Sequence, residues 1–116
     1  MKINLLKSLP KTWKKKPLKI RKSVSIDDRI LSWRLGREYF DGNRRQGYAG
    51  YKYDGRWKTV AIDFIKKYNL KDNSKILDIG CAKGYLLDEF SKLLKNPVLC
   101  GLDISHYAIT KSNKKI

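Results

Sequence analysis

A chain of 116 residues leaves room for one small domain and excludes two full ones, and 41% hydrophobic with 11% aromatic residues argues for a packed core over wholesale disorder. No apolar run approaches the roughly 18 residues that a membrane helix needs. The 27 Lys and Arg against 11 Asp and Glu give a net charge of +16, and residues 1–22 carry nine of those bases with no acid.

In chain order, residues 1–26 hold Pro10, Pro17 and few periodic apolar positions, so they read as a basic arm with little fixed structure. The block Trp13-Lys14-Lys15-Lys16 has the charge to hold phosphates of nucleic acid or anionic lipid headgroups. The same block serves equally as a solvated tail, and it lacks the aromatic series that stacks bases. The apolar stretches of the arm are too short for a signal-peptide core, so Cys81 and Cys100 read as reduced thiols of a cytoplasmic protein. Residues 27–54 form the next zone. Asp27 and Asp28 suit a first helical turn, and Ile30, Leu31, Trp33, Leu35 and Tyr39 predict a helix over 27–39. Gly42, Gly47, Gly50 and Gly55 among Tyr48, Tyr51 and Tyr53 then predict a glycine- and tyrosine-rich loop.

From about residue 55 to 116 the pattern alternates helix and strand. Trp57, Val60, Ala61, Phe64, Ile65 and Tyr68 share one helical face, with Asp54 placed to cap it. Residues 71–74 make a turn, and 75–79 a short apolar strand containing Asp78. After Gly80-Cys81-Ala82-Lys83-Gly84, the residues Leu86, Leu87, Phe90, Leu93 and Leu94 predict a second helix, stopped by Asn96-Pro97. Residues 98–102 predict a second strand, Asp103 closes it, and Ser105 can cap a further helix. Strand, glycine turn, helix and strand make one right-handed βαβ unit with a parallel pair, hence an α/β fold.

Such a unit brings backbone amides and a positive helix end to one place. Asp103 stands about 20 residues beyond the turn, the separation at which an acid takes ribose hydroxyls in nucleotide-binding units. The turn is not a dinucleotide turn, because G-x-G-x-x-G would need glycines where Ala82 and Tyr85 stand. Nor is it a phosphate-cradling loop, because Tyr85 follows Lys83-Gly84 where Lys-Ser or Lys-Thr is needed after a glycine. What remains is Asp-x-Gly-x-x-x-Gly. Its carboxylate would repel a pyrophosphate and suits a ligand with cationic groups.

Residues 76–85, Ile-Leu-Asp-Ile-Gly-Cys-Ala-Lys-Gly-Tyr, resemble the first motif of class I S-adenosylmethionine-dependent methyltransferases, and residues 101–105 resemble the second. The resemblance spans roughly residues 47–110 and departs at Ala82, where the family has a glycine. It implies S-adenosyl-L-methionine as cofactor, with Gly80, Cys81, Ala82 and Gly84 passing close to its methionine part and Asp78 holding its polar groups. It further implies that Asp103 binds the ribose hydroxyls and that Ile104 packs on adenine. The implied fold is Rossmann-like but incomplete: a basic arm, helices and the first βαβ unit. Thirteen residues follow Asp103, so the strands that carry substrate and catalytic groups in the family are expected to be missing. The chain is thus expected to be the N-terminal part of a methyltransferase, with an unidentified methyl acceptor and no readable catalytic residue. The other reading is a basic binding module acting through residues 1–22.

The remaining residues have plainer readings. Cys81 fills space in the turn, Cys100 sits in an apolar strand and reads as core, and His106 faces solvent. One histidine and two cysteines without zinc spacing leave no metal cluster to expect. Tyr51, Tyr53 and Arg56 either fold over the cofactor, with Arg56 on its carboxylate, or pack as a loop on the sheet edge.

Overall fold

The computed structural model describes residues 3–9, 24–48 and 52–112. Within them the fold is mixed α/β. The order is α1 (Ile26–Trp33), α2 (Arg37–Asp41), α3 (Trp57–Tyr68), β1 (Lys75–Ile79), α4 (Tyr85–Leu93), β2 (Val98–Leu102) and α5 (His106–Thr110). Strands β1 and β2 pair in parallel, with Lys75 opposite Val98 and Ile79 opposite Leu102. Two short strands can run parallel only because α4 carries the chain back between them.

The core sits between this sheet and the helices α3 and α4. Ala61, Leu87, Phe90 and Leu94 are buried together, and Phe64, Ile65, Ile76, Leu86 and Leu99 pack around them. Both strands alternate between half-buried and exposed residues. Ile76 and Leu99 face the helices, whereas Leu77, Ile79, Val98 and Leu102 lie exposed on the opposite face. An apolar strand reads the same whether one or both of its faces are covered, and here one face is.

That bare face corrects the reading of Cys100. It is exposed, because strand alternation puts it on the same face as Val98 and Leu102. A second correction concerns the helix expected over 27–39. The helical path stops at Trp33 and restarts at Arg37. Between them Leu35 adopts φ +48°, and its carbonyl accepts a 2.5 Å hydrogen bond from the Ser105 hydroxyl. The break therefore serves a contact with a residue far along the chain. Helix α1 starts at Ile26, where the Ser25 side chain accepts from the Asp28 N–H at 3.1 Å. It buries none of its residues. Ser32 ties it to the following loop, donating to the Gln46 carbonyl at 2.6 Å.

Helix α3 forms where its apolar face predicts, but Asp54 does not cap it. The residue at the cap is Arg56, with no side-chain cap bond. The Asp54 carboxylate instead takes the Arg56 guanidinium at 2.8 and 2.7 Å, which holds its pKa at about 2. At the other end the left-handed Asn69, φ +51°, closes the helix. Residues 5–8 form a turn near α3, with the Thr59 hydroxyl 3.4 Å from the Ser8 carbonyl. The block Trp13-Lys14-Lys15-Lys16, Pro10, Pro17, Gly50 and Tyr51 lie outside the described residues.

Candidate functional site

The site is built where β1 and β2 end. Leaving β1, the chain turns at once, and the N–H groups of Gly80 and Cys81 both donate to the Leu102 carbonyl, at 2.7 and 3.1 Å. The Gly84 N–H closes the turn onto the Cys81 carbonyl at 2.8 Å. Gly80, Ala82 and Gly84 all have positive φ, at +85°, +50° and +73°. That conformation is why glycine suits these places. A side chain there costs roughly 1–2 kcal/mol, which Ala82 carries. A Cβ built on Gly80 would meet nothing within 4 Å, so this backbone faces open space that a ligand can approach closely.

Asp103 holds the turn in place. One of its carboxylate oxygens accepts from the Ala82 N–H at 2.7 Å, the other from the Ser105 N–H at 2.8 Å. A carboxylate offers about four acceptor sites, so each oxygen keeps one for a further donor. Ser105 itself caps α5, accepting from the Ala108 N–H at 3.0 Å. Ile104 projects into solvent at 88% exposure. Asp78 sits at the neighbouring strand end, half-buried and without a hydrogen-bond or ion-pair partner among the described residues. Burial first, and the Asp103 charge second, push its carboxyl above the ordinary range. Two carboxylates thus end adjacent strands beside a turn of left-handed backbone.

Cys81 packs inward. Its sulfur lies only 2.7 Å from where a Cβ on Gly101 would stand, so the glycine in β2 makes room for it. Burial, then the charges of Asp78 and Asp103, raise its thiol pKa, which leaves it protonated and a poor nucleophile at neutral pH. Iodoacetamide labelling followed by peptide mass analysis is expected to modify exposed Cys100 well before Cys81. Cys81→Ser is expected to fold normally; preferential alkylation of Cys81 would restore a case for thiol chemistry.

Compared with known proteins, the chain matches no protein family, no curated protein and no solved structure. The reading of the site therefore rests on its residues.

The structure brings Asp78, Gly80, Cys81, Ala82, Gly84 and Asp103 to one end of the sheet, with Ile104 beside them. It does not bring Arg56 there unpaired, since Asp54 holds the guanidinium. Tyr53 packs as well. Its ring stacks on Tyr85 at 4.8 Å, and its hydroxyl donates to buried Glu89 at 2.9 Å. Tyr53 thus packs against α4 and Arg56 pairs with Asp54. His106 is exposed, as expected. An open groove of about 420 Å³ lies elsewhere, between α3, α4 and β1, lined by Phe64, Tyr68, Leu70, Ile76, Leu86 and Phe90 among others. Its lining is mainly apolar and touches the strand ends only through Asp78.

Sequence reading passed over Lys83, Asp41 and Tyr107. Lys83 is 9% exposed, and its ammonium donates to Asp41 at 2.6 Å. The Tyr107 hydroxyl donates to the other Asp41 oxygen at 2.7 Å. Nothing in the linear pattern marks three residues this far apart as partners. No helix among the described residues is long and apolar enough to cross a membrane.

Proposed function

We propose that this chain carries the cofactor-binding part of an S-adenosylmethionine-dependent methyltransferase. The observation that carries the reading is Asp78, a half-buried carboxylate without a partner among the described residues, beside Asp103 and the open backbone of Gly80. A buried charge is costly unless something of opposite sign meets it. A ligand bringing cationic groups relieves that cost, whereas a pyrophosphate would add a third negative charge next to two carboxylates. The free acceptor sites on Asp103 suit adjacent hydroxyls, and the Ile104 side chain offers an apolar surface for a flat ring. The residues present therefore fit the cofactor's ammonium, sulfonium, ribose and adenine.

When bound, S-adenosylmethionine supplies a methyl group already activated by its sulfonium. This chain's residues contribute binding and orientation: Asp78 toward the cationic end, the 80–84 turn as a close-fitting backbone, and Asp103 toward the ribose.

Calorimetric titration of the 116-residue chain tests the reading. S-adenosylmethionine should bind and NAD should not. Affinity should fall as pH drops through the raised Asp78 pKa, because protonation removes the charge that meets the cation. Asp78→Asn should weaken binding and flatten that pH profile. The sign for stability is opposite. A folded-state pKa above the unfolded value means that the native state holds the proton more tightly, so stability falls as pH rises through that window. Asp78→Asn should therefore make the chain more stable at neutral pH while it weakens cofactor binding. Equal affinity of Asp78→Asn and wild type would end the proposal.

A further inference from the structure

We propose that Lys83, Asp41 and Tyr107 form a positioning clamp that sets the conformation of the 80–84 turn from outside it. The inference rests on the cofactor reading for what the turn binds, but the clamp itself is argued from geometry. Lys83 lies within the turn, between left-handed Ala82 and left-handed Gly84. Its side chain does not point to solvent as an ordinary loop lysine would. It is nine-tenths buried, and its ammonium meets the Asp41 carboxylate at 2.6 Å. Asp41 is the last residue of α2, and its second oxygen takes the Tyr107 hydroxyl from α5 at 2.7 Å. One carboxylate thus joins the turn, α2 and α5.

The surroundings make that junction stiff. Phe40, buried next to Asp41, stacks on Tyr48 at 5.8 Å and on Tyr107 at 6.3 Å, and Tyr39 meets both Phe40 and Tyr48 edge-on. The Ser105 hydroxyl adds a bond to the Leu35 carbonyl just ahead of α2. Burial works to raise the Asp41 carboxyl, but the hydrogen bonds from Lys83 and Tyr107 and the charges of Lys83 and Arg37 outweigh it and hold the group below its ordinary value. The carboxylate is therefore ionised across the neutral range, and removing its ammonium partner leaves only the Tyr107 hydrogen bond and the Arg37 charge to set against burial. Since the turn is held on its other side by the Asp103 bond to the Ala82 N–H, it is gripped between two carboxylates. Asp103 fixes its backbone and Asp41 its one long side chain. The helical pair α1–α2, otherwise outside the βαβ unit, is then a part of what presents the turn to its ligand.

The test measures amide hydrogen exchange and S-adenosylmethionine affinity in the full chain. Lys83→Met keeps the aliphatic stem and removes the charge. The Ala82 and Gly84 amides should exchange about tenfold faster, with the Phe90 amide in the core unchanged. Cofactor affinity should drop about tenfold. Lys83→Arg should restore both, and Asp41→Asn combined with Lys83→Met should be no worse than Lys83→Met alone, as expected of partners in one contact. If wild type binds S-adenosylmethionine but neither the turn amides nor the affinity respond to Lys83→Met, the clamp is overturned and the cofactor reading stands. If wild type shows no affinity while its turn amides still depend on Lys83, the cofactor reading fails and the clamp stands.

Discussion

Phe90→Ala is expected to abolish the cooperative folding of the chain. Phe90 is 1% exposed, packs edge-on against Phe64 at 6.1 Å, and sits in the cluster with Ala61, Leu87 and Leu94 that joins α3 and α4 to the sheet. Removing a buried phenylalanine costs about 3–5 kcal/mol, from lost transfer energy and the cavity left behind. A whole domain is commonly stable by only about 5–15 kcal/mol, and a small one lies toward the low end. Among the described residues one sheet face also stays exposed, at Leu77, Ile79, Val98 and Leu102, so little burial is held in reserve. Urea unfolding followed by circular dichroism should show the midpoint moving to near zero denaturant. Leu77→Ala serves as the comparison. Leu77 is equally apolar but lies on the bare face at 56% exposure, and its loss should cost less than about 1 kcal/mol. Similar costs for both variants would mean that the core does not lie on the α3–α4 side.

Asp103→Ala is expected to weaken S-adenosylmethionine binding by about tenfold to a hundredfold. Two effects combine in that number. Charge-assisted hydrogen bonds to ribose hydroxyls are worth about 1.5–3 kcal/mol, and they vanish with the carboxylate. The Ala82 and Ser105 N–H groups also lose their acceptor, which frees the turn and the start of α5. Asp103→Asn separates the two contributions. Its amide oxygen can keep one backbone bond but brings no charge to the ligand, so it should hold the turn better than alanine does and still bind weakly. Calorimetry gives the affinity, and exchange at the Ala82 amide reports the turn. Wild-type affinity in Asp103→Ala would remove the residue from the site.

Much of the secondary structure was legible because its signals are local. The apolar spacing in 57–68 and 86–94 marks α3 and α4 with their buried Val60, Ala61, Leu87 and Phe90, and the short runs 75–79 and 98–102 are the two strands as found. Ser105 caps α5 for the same reason: a serine ahead of a helical pattern needs only its next three residues to act. The gathering of Asp78, Gly80 and Asp103 at one place was also readable, since a parallel pair with a helix between must put both strand ends on the same side.

What the sequence by itself determined, then, is the βαβ unit and the carboxylates and glycines at its open end. Tertiary structure decided the rest. The helix expected over 27–39 breaks because Leu35 turns to meet Ser105, seventy residues away, and no local propensity records that bond. Asp54 turns to Arg56 because that one residue offers it a bidentate guanidinium and a backbone N–H together. Cys100 is exposed because strand alternation assigns a face, while only packing decides whether that face is covered. Lys83 shows the limit most clearly. As a residue type it belongs in water, and it is buried only because folding brings Asp41 and Tyr107 to it from either side in the chain. Periodicity and capping act over a few residues and can be read in line, whereas ion pairs and face coverage depend on separations that exist only in the folded chain.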